Sequence, residues 1–260
     1  MLGKRKQLTI LENKISYLEY GDANLPSLIF LHGWGGEALS FQPLFQELAN
    51  KGLRAHFLAL DLPGFGQSPP PKRAYALADY VLCVVKYLEV LKLTKVNLIS
   101  HSFGGRLAIK LLVNYPNLIN KNIFIAPAGI YHKRLKVTIT KFFAHLIKKV
   151  FQFPTLKAAF PLMRNLGYGL IGEHDYLEAS GIMAETFQKI IAEDLKLEIP
   201  KITAPSLIFW GERDRYVPLA DGFYIQQSIK NSQIFTFAQG KHNIHKTYAV
   251  QISQKINSFL

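Results

Sequence analysis

Three residues that lie far apart in the sequence could together carry out nucleophilic catalysis. Ser102 stands in SHSFGG, Asp214 in GERD and His242 in GKH, and each segment follows a short apolar run. A serine hydroxyl is a weak nucleophile unless a base removes its proton, and a histidine base must be oriented by an acid. We predict that Ser102 is the nucleophile, His242 its base and Asp214 the orienting acid. Glu212 is the rival acid, and His245 is expected either on the surface or beside the site.

The string around Ser102 departs from the common Gly-x-Ser-x-Gly pattern, because Ser100 stands where a glycine is usual. The apolar run KVNLI precedes it and the helical pattern FGGRLAIKLLVNY follows it. Ser102 is therefore expected on a sharp turn between a strand and a helix, where the helix N-terminus favours an anion. Such a turn needs small neighbours, and Gly104 and Ser100 both meet that need. We interpret Ser100 as a tolerated small residue under the turn.

A glycine-rich turn, HGWGG (32–36), follows the apolar run SLIFL and can direct backbone N–H groups into the same site. The N–H groups of Trp34 and Phe103 are the predicted donors to an oxyanion. We expect His32 to brace this turn rather than to take part in chemistry. Asp61, in the fixed turn DLPGFGQS, is expected to be a structural hydrogen-bonding acid.

Short apolar runs alternate with helical patterns along most of the chain. Two alternating segments, LTILE and KISYLEY, predict an opening hairpin, and further strands are predicted at 27–31, 54–60, 95–100, 121–126, 206–210 and 232–237. Helices are predicted at about 40–50, 75–92, 104–115, 219–229 and 246–258. This alternation predicts an α/β fold with a doubly wound, mostly parallel sheet.

The alternation stops between about 128 and 200, where only helical periodicity remains. We predict a core formed by 1–127 and 201–260, with 128–200 inserted as a helical lid. The basic amphipathic helix predicted at 137–153 is expected to pack its apolar stripe over the pocket, and docking on a membrane surface is the alternative. The candidate pocket-lining residues of the lid are Phe142, Phe143, Met163 and Met183, with Phe151 and Phe160 as further candidates.

The chain carries a formal net charge of +13, and its basic residues are unevenly distributed. No acidic residue occurs between Glu89 and Glu173, a segment that contains 13 lysines and arginines. Such a field attracts nucleic acid, anionic lipid or an anionic substrate. Because no helix-turn-helix, zinc-finger or aromatic RNA-binding pattern accompanies it, we expect no nucleic-acid partner and a largely solvated basic surface.

Several classes of protein are disfavoured by what the sequence contains. The single cysteine, Cys83, cannot form an internal disulfide, and the N-terminal segment has no apolar run typical of a secretion signal. No apolar stretch is long enough to span a bilayer, so we expect a cytoplasmic protein. Neither a metal-ligand cluster nor a phosphate-binding glycine motif is present, so we expect no metal and no cofactor.

The motifs HGWGG, DLPGFGQS, SHSFGG, GERD and GKH resemble, in order and spacing, those of the α/β-hydrolase superfamily over essentially the whole chain. The chain is most similar to bacterial carboxylesterase-type hydrolases that have SFGGR after the strand. This resemblance implies the same roles for Ser102, Asp214 and His242 and the cleavage of a carboxylic ester through an acyl-enzyme. The implied partner is a small-molecule ester with an apolar acyl group. The chain departs from the family at Ser100 and Lys241, where glycine is usual, and neither change removes a catalytic group.

The motifs are compatible with other activities on the same fold. The serine at position 102 separates the chain from relatives that use an aspartate nucleophile, such as haloalkane dehalogenases and epoxide hydrolases. A carbon–carbon bond hydrolase or an acyltransferase would use the same residues. A ligand-binding protein without catalysis is a further alternative.

Overall fold

The computed structural model describes residues 3–132 and 181–260. Eight strands in this part of the chain form one sheet: β1 (Lys4–Ile10), β2 (Asn13–Gly21), β3 (Ser27–Leu31), β4 (His56–Leu60), β5 (Val96–His101), β6 (Ile119–Ile125), β7 (Ser206–Gly211) and β8 (Ser232–Phe237). Their order across the sheet is β1-β2-β4-β3-β5-β6-β7-β8. The pairs β1–β2 and β2–β4 are antiparallel, and the other pairs are parallel. The predicted mostly parallel sheet is confirmed.

The central strands form from apolar runs because both faces of the sheet are covered. Every residue of β3, β4, β5 and β7 is buried, which is typical of parallel strands between two helical layers. By contrast, β8 lies at the edge of the sheet and contains no fully buried residue. The sheet is thus most strongly stabilised at its centre, where β3 and β5 lie side by side.

The described helices are divided between the two faces of the sheet. They are α1 (Gln42–Asn50), α2 (Leu77–Val90), α3 (Phe103–Asn114), α4 (Ile182–Ala192), α5 (Leu219–Ser228), α6 (Ile244–Thr247) and α7 (Ala249–Phe259). Successive residues of a strand point to opposite faces, so Ile29 and Leu31 pack with α2 and α3, whereas Leu28 and Phe30 pack with α1 and α7. This arrangement is the doubly wound fold that the sequence predicts.

The segment predicted as a lid is described only at its two ends. Its second end contains α4 and then a loop in which Leu195 and Ile199 are fully buried in the core cluster on the α2–α3 side of the sheet. Ile190 of α4 belongs to the same cluster. The described end of this segment therefore packs on the core, and the limits 128 and 200 of the lid stay a prediction. In the described ranges no helix is both long and apolar enough to cross a bilayer.

The parallel strands place four loops along one edge of the sheet. The loops after β3, β5, β7 and β8 contain, respectively, Trp34, Ser102, Asp214 and His242. Residues at the carboxyl ends of parallel strands meet at the same edge, where open α/β sheets bind their ligands. The fold alone therefore brings together residues that are more than a hundred positions apart.

The start of α3 lies against the end of β3 with no room for a side chain between them. The N–H of Gly104 donates to the His32 carbonyl at 3.0 Å, and a Cβ at position 104 would overlap the Leu31 carbonyl. Both neighbours are backbone atoms, which cannot rotate away as a side chain would. Glycine is therefore required at this position.

We expect Gly104→Ala to lower the free energy of unfolding by roughly 1–3 kcal/mol, since α3 would have to move away from β3 to relieve the overlap. Gly129→Ala is a matched control, because among the described residues its Cβ would meet only Ile109 Cδ1, at 2.7 Å, at the end of a side chain that can rotate. Urea denaturation of both variants measures the difference. Equal losses of stability would contradict the close approach at Gly104.

Candidate active site

Ser102 forms a turn one residue long between β5 and α3. Its backbone has φ +49° and ψ −111°, a left-handed conformation that is strained for any residue except glycine. Three hydrogen bonds hold it: its N–H donates to the Ile125 carbonyl at 3.2 Å, and its carbonyl accepts from the N–H groups of Gly105 and Ala128, both at 2.9 Å. This strained turn places Ser102 at the wall of a cavity.

Ser100, two residues earlier, lies in a different environment. It is fully buried within β5, and its hydroxyl donates to the Ile123 carbonyl of β6 at 3.4 Å. It is not among the described residues that line the cavity. The small side chain at this position is thus accommodated inside the sheet, beneath the turn.

Asp214 and His242 form a direct hydrogen bond at the ends of β7 and β8. His242 Nδ1 lies 2.7 Å from Asp214 Oδ2, and the Asp214 carboxylate is fully buried. The other oxygen, Asp214 Oδ1, accepts the N–H groups of Tyr216 at 2.8 Å and Val217 at 3.1 Å. The carboxylate is therefore fixed from both sides, and it holds the imidazole with Nδ1 as donor and Nε2 free of the proton.

Glu212, the rival acid, lies near the same loop but has another partner. Its Oε1 accepts a hydrogen bond from Thr236 Oγ1 at 2.8 Å on the exposed side of β8. The structure thus brings Asp214, and not Glu212, to His242.

The two loops that carry this pair are locked together through their backbones. The N–H of Arg213 donates to the Gly240 carbonyl at 2.9 Å, and a Cβ at Gly211 would overlap the carbonyls of Gly240 and Lys241. The absence of a side chain at position 211 lets the loop after β7 reach the loop after β8. Asp214 and His242 can then meet across 28 residues of sequence.

The glycine-rich turn after β3 and the start of α3 bring two further backbone N–H groups to the cavity that Ser102 lines. Among the described residues, neither the N–H of Trp34 nor that of Phe103 donates to a protein acceptor. Phe103 is the first residue of α3, so its N–H is one of those that a helix leaves unpaired. Both residues line the cavity with Ser102, which is the placement that an oxyanion site requires.

His32 and Asp61 brace this turn from beneath. His32 is fully buried: its Nδ1 donates to the Gly33 carbonyl at 2.7 Å and its Nε2 accepts the Leu62 N–H at 3.1 Å, so the ring is neutral. Burial lowers the pKa of His32 to about 4. Asp61, also fully buried, accepts the Ala38 N–H at 2.7 Å and the guanidinium of Arg5. The polar atoms of both side chains are therefore engaged by backbone groups and by Arg5, which is the kind of contact expected of bracing residues.

Three histidine rings are packed together beside the cavity. His101 lies 4.8 Å from His242 and 4.2 Å from His245 between ring centroids, and His101 Nε2 contacts the His242 carbonyl at 3.2 Å. Burial, with the neighbouring rings as lesser causes, holds the pKa of His101 well below its ordinary value. His245 is 1% exposed, and neither ring nitrogen has a hydrogen-bond partner among the described residues. Burial lowers its pKa to about 3, so both neighbours of His242 are neutral.

The cavity has a volume of about 520 Å³ and a mixed wall. One side is aromatic: the Trp34 ring lies 5.4 Å from Phe103 and 4.8 Å from Phe187, between ring centroids. Ile190 and Ile191 extend the apolar wall, and Arg106 is a basic residue within it. The space is large enough for a small organic molecule with an apolar part.

The predicted lid residues correspond only partly to this wall. Phe142, Phe143 and Met163 lie outside the described residues. Met183 is described, but it is not among the residues that line the cavity: its side chain packs over Gly64 in the core. Phe187, one turn further along α4, lines the cavity instead.

The wall residues that the sequence did not indicate include Arg106, Phe187, Ile190 and Ile191. A signal was available only for Arg106, which stands one helical turn after Ser102 in the segment SFGGR. In residues 3–132 and 181–260 no cluster of histidine, cysteine or carboxylate side chains could hold a metal ion. The groups around the cavity are those needed to move a proton, attack a carbonyl and hold an oxyanion.

Comparison with known proteins gives consistent matches over most of the chain. A family model described as the alpha/beta hydrolase fold matches residues 26–247. The AB hydrolase superfamily protein YisY of Bacillus subtilis (strain 168) is 30% identical over 259 residues, covering 90% of this chain and 89% of that protein. A 2-hydroxy-6-oxononadienedioate/2-hydroxy-6-oxononatrienedioate hydrolase of Paraburkholderia phymatum is 24% identical, with 96% and 91% covered. Among solved structures, a bacterial membrane phospholipase A superposes with a TM-score of 0.78 at 25% identity, covering 99% of this chain and 85% of that one.

The buried, neutral His245 predicts a loss of stability in acid. Its pKa of about 3 in the folded protein lies below the ordinary value of 6.5, so the unfolded chain takes up the proton first as the pH falls. Its contribution is complete above about pH 6.5 and is lost between that pH and about 3. At pH 5 such a histidine lowers the free energy of unfolding by roughly 2 kcal/mol relative to pH 7.

We therefore expect His245→Leu to reduce the difference in stability between pH 7 and pH 5, measured by urea denaturation at both values. The substitution also removes two unpaired ring nitrogens, so stability at pH 7 should not fall by the amount typical of a core truncation. An unchanged difference between the two pH values would show that His245 does not titrate in this way.

Proposed function

This chain belongs to the α/β-hydrolase fold family, and we propose that it is a serine hydrolase that cleaves carboxylic esters. The observation that carries the proposal is the 2.7 Å hydrogen bond between His242 and the buried Asp214, beside a cavity that Ser102 also lines. A hydroxyl, a base and an orienting acid are the set that acyl transfer requires.

In the proposed reaction, Ser102 Oγ attacks the ester carbonyl while His242 Nε2 takes its proton. The hydrogen bond at Nδ1 keeps the imidazole in the required tautomer, and the Asp214 carboxylate stabilises the cation that forms. His101 and His245, which are neutral, add no like charge beside that cation.

The carbonyl oxygen becomes negative as the tetrahedral intermediate forms. The unpaired N–H groups of Trp34 and Phe103 would donate to it, together with the positive end of the α3 dipole. Because these donors are backbone groups held by the Gly104 contact, they need no rearrangement during the reaction. His242 then gives its proton to the leaving alcohol, and the acyl group stays on Ser102.

Water completes the cycle. His242 removes a proton from a water molecule, which attacks the acyl-enzyme at the same carbonyl, and the acid is released from Ser102. The apolar wall formed by Trp34, Phe187 and Ile190 would receive the hydrocarbon part of the substrate. The similarity to a protein named as a membrane phospholipase A supports an ester as the substrate.

Hydrolysis of a carbon–carbon bond is the second candidate. It is favoured by the similarity to hydrolases of 2-hydroxy-6-oxononadienedioate, whose name specifies a ketone and two carboxylates. The same base, acid and oxyanion donors would serve a ketone carbonyl. A panel that contains both simple esters and 2-hydroxy-6-oxo-dienoates separates the two activities by their relative kcat/KM.

We expect p-nitrophenyl esters of short acids to be hydrolysed, and a fluorophosphonate to label Ser102. Ser102→Ala should lower kcat/KM by roughly 10⁴-fold or more and abolish labelling. Ser100→Ala is the matched control, since its hydroxyl is buried in β5, and it should keep both activity and label. Labelling at Ser100 would contradict the site, and an inert wild type that binds ligand would indicate a receptor.

The acid is tested separately. Asp214→Asn should lower kcat by about 10³–10⁴-fold, because the amide can donate to His242 Nδ1 and so favours the wrong tautomer. Glu212→Gln makes the same replacement of a carboxylate by an amide two residues earlier in the chain. It should leave kcat within about 3-fold of wild type, since Glu212 contacts Thr236 and not the imidazole. Similar losses in both variants would overturn the assignment of the acid.

A further inference from the structure

Arg106 is a buried cation in the wall of the cavity, and nothing in the proposed reaction uses it. The residue is 5% exposed. Its only hydrogen bond within the described ranges runs from Nη2 to the Glu193 carbonyl, and the buried Nε has no partner there. A guanidinium carries five N–H donors, so most of its capacity to bind an acceptor is unused.

The carboxylates near Arg106 are engaged by other groups. Lys110, one turn further along α3, makes ion pairs with Glu193 at 2.7 Å and Glu198 at 2.6 Å. Asp194 Oδ1 accepts the N–H groups of Tyr131 and Lys196, both at 3.1 Å. In the described part of the chain no carboxylate lies within ion-pair distance of Arg106.

A buried charge without a counterion is unfavourable, and proteins normally pair it. Burial lowers the pKa of Arg106 to about 10, so the side chain stays protonated near neutral pH. Arg106 thus has no ion-pair partner among the described residues, and an anionic ligand in the cavity would provide one.

The position of Arg106 relates it directly to the reacting serine. It stands four residues after Ser102, one turn into α3, and side chains on a helix point back toward its N-terminus. Ser102 and Arg106 both line the same cavity. A substrate attacked at Ser102 could therefore extend a second group toward the guanidinium.

We propose that Arg106 binds a carboxylate of the substrate, so that this protein acts on acids that carry a second, hydrolysable carbonyl. The planar guanidinium matches a carboxylate through two parallel hydrogen bonds, which makes this group its preferred partner. The proposal rests on the hydrolase activity proposed above. It assigns to Arg106 the selection of the substrate and leaves the chemistry to Ser102, His242 and Asp214.

Esters matched in length test the proposal. Mono-p-nitrophenyl glutarate and p-nitrophenyl pentanoate have the same acyl chain length and differ in a terminal carboxylate, and succinate with butanoate and adipate with hexanoate extend the series. We expect wild type to prefer the anionic member of at least one pair by 10-fold or more in kcat/KM. Arg106→Met should lower kcat/KM for that ester by roughly 10–100-fold and for its neutral partner by less than about 3-fold.

Two further variants separate recognition from folding. Arg106→Lys keeps the charge and should retain part of the preference, with a raised KM rather than a lowered kcat. Lys110→Met removes a cation from the next turn of α3 that is already paired and does not line the cavity. It should leave the ratio of the two esters unchanged. Equal losses for both esters in Arg106→Met, or no anionic preference in wild type, would overturn the proposal.

A binding measurement keeps this inference distinct from the proposed reaction. Ser102→Ala lacks the nucleophile, and monomethyl glutarate, unlike the p-nitrophenyl ester, is not cleaved by its own carboxylate, so titration calorimetry with this pair can measure Kd. We expect Kd for monomethyl glutarate to be at least about 10-fold lower than for methyl pentanoate, and this difference to disappear when Arg106→Met is added. Binding without hydrolysis by wild type would refute the esterase and retain the anion site. Hydrolysis without selective binding would do the reverse.

Discussion

The contact between the start of α3 and the end of β3 is the constraint on which the site depends. Because position 104 has no side chain, its N–H reaches the His32 carbonyl, and the two backbones approach closely. This contact fixes the backbones that carry Trp34 and Phe103, since each of these residues is only one or two positions from it. Ser102 must then reverse the chain within a single residue, which accounts for its left-handed backbone.

Burial determines which groups near the serine carry charge. His32, His101 and His245 are neutral because each lies in a site that water does not reach. Asp214 tolerates the same burial because two backbone N–H groups and an imidazole contact its oxygens. When His242 takes up a proton, its imidazolium therefore has the Asp214 carboxylate as a negative neighbour and no positively charged histidine beside it. The same reasoning sets Arg106 apart, since among the described residues no carboxylate lies within ion-pair distance of its guanidinium.

Much of the fold could be predicted because buried parallel strands have a simple signature. Runs such as SLIFL and SLIFW are apolar on both faces, and β3 begins and ends at the predicted residues. The observed start of a helix differs from the predicted one where a separate local turn forms. For example, α1 begins at Gln42 rather than near residue 40, because Ala38–Phe41 form a separate 3₁₀ turn. The order of strands, with β4 lying between β2 and β3, depends on long-range pairing and left no sequence pattern to find.

The candidate site, like the fold, could be predicted from the sequence only in part. Ser102, Asp214 and His242 stand next to strand ends, so their convergence follows from the sheet, although their catalytic roles stay a prediction. Phe187 and Met183 lie on one helix, and which of them faces the cavity depends on how α4 is rotated on the core. Helical periodicity identifies an apolar face without saying what that face covers. For this reason the sequence indicates Met183 as a cavity residue and gives no signal for Phe187.

The loops around the cavity are also synthesised at different times. The strained turn at Ser102 is held by Leu31, His32, Ile125 and Ala128, all of which are synthesised before β7 and β8. His242 follows more than a hundred residues later. A nascent chain can therefore build the serine turn before β7 and β8 exist. In the proposed reaction His242 is the base, so reactivity would be acquired only with β8 and its loop, and a chain that stops before β8 would present an inert hydroxyl.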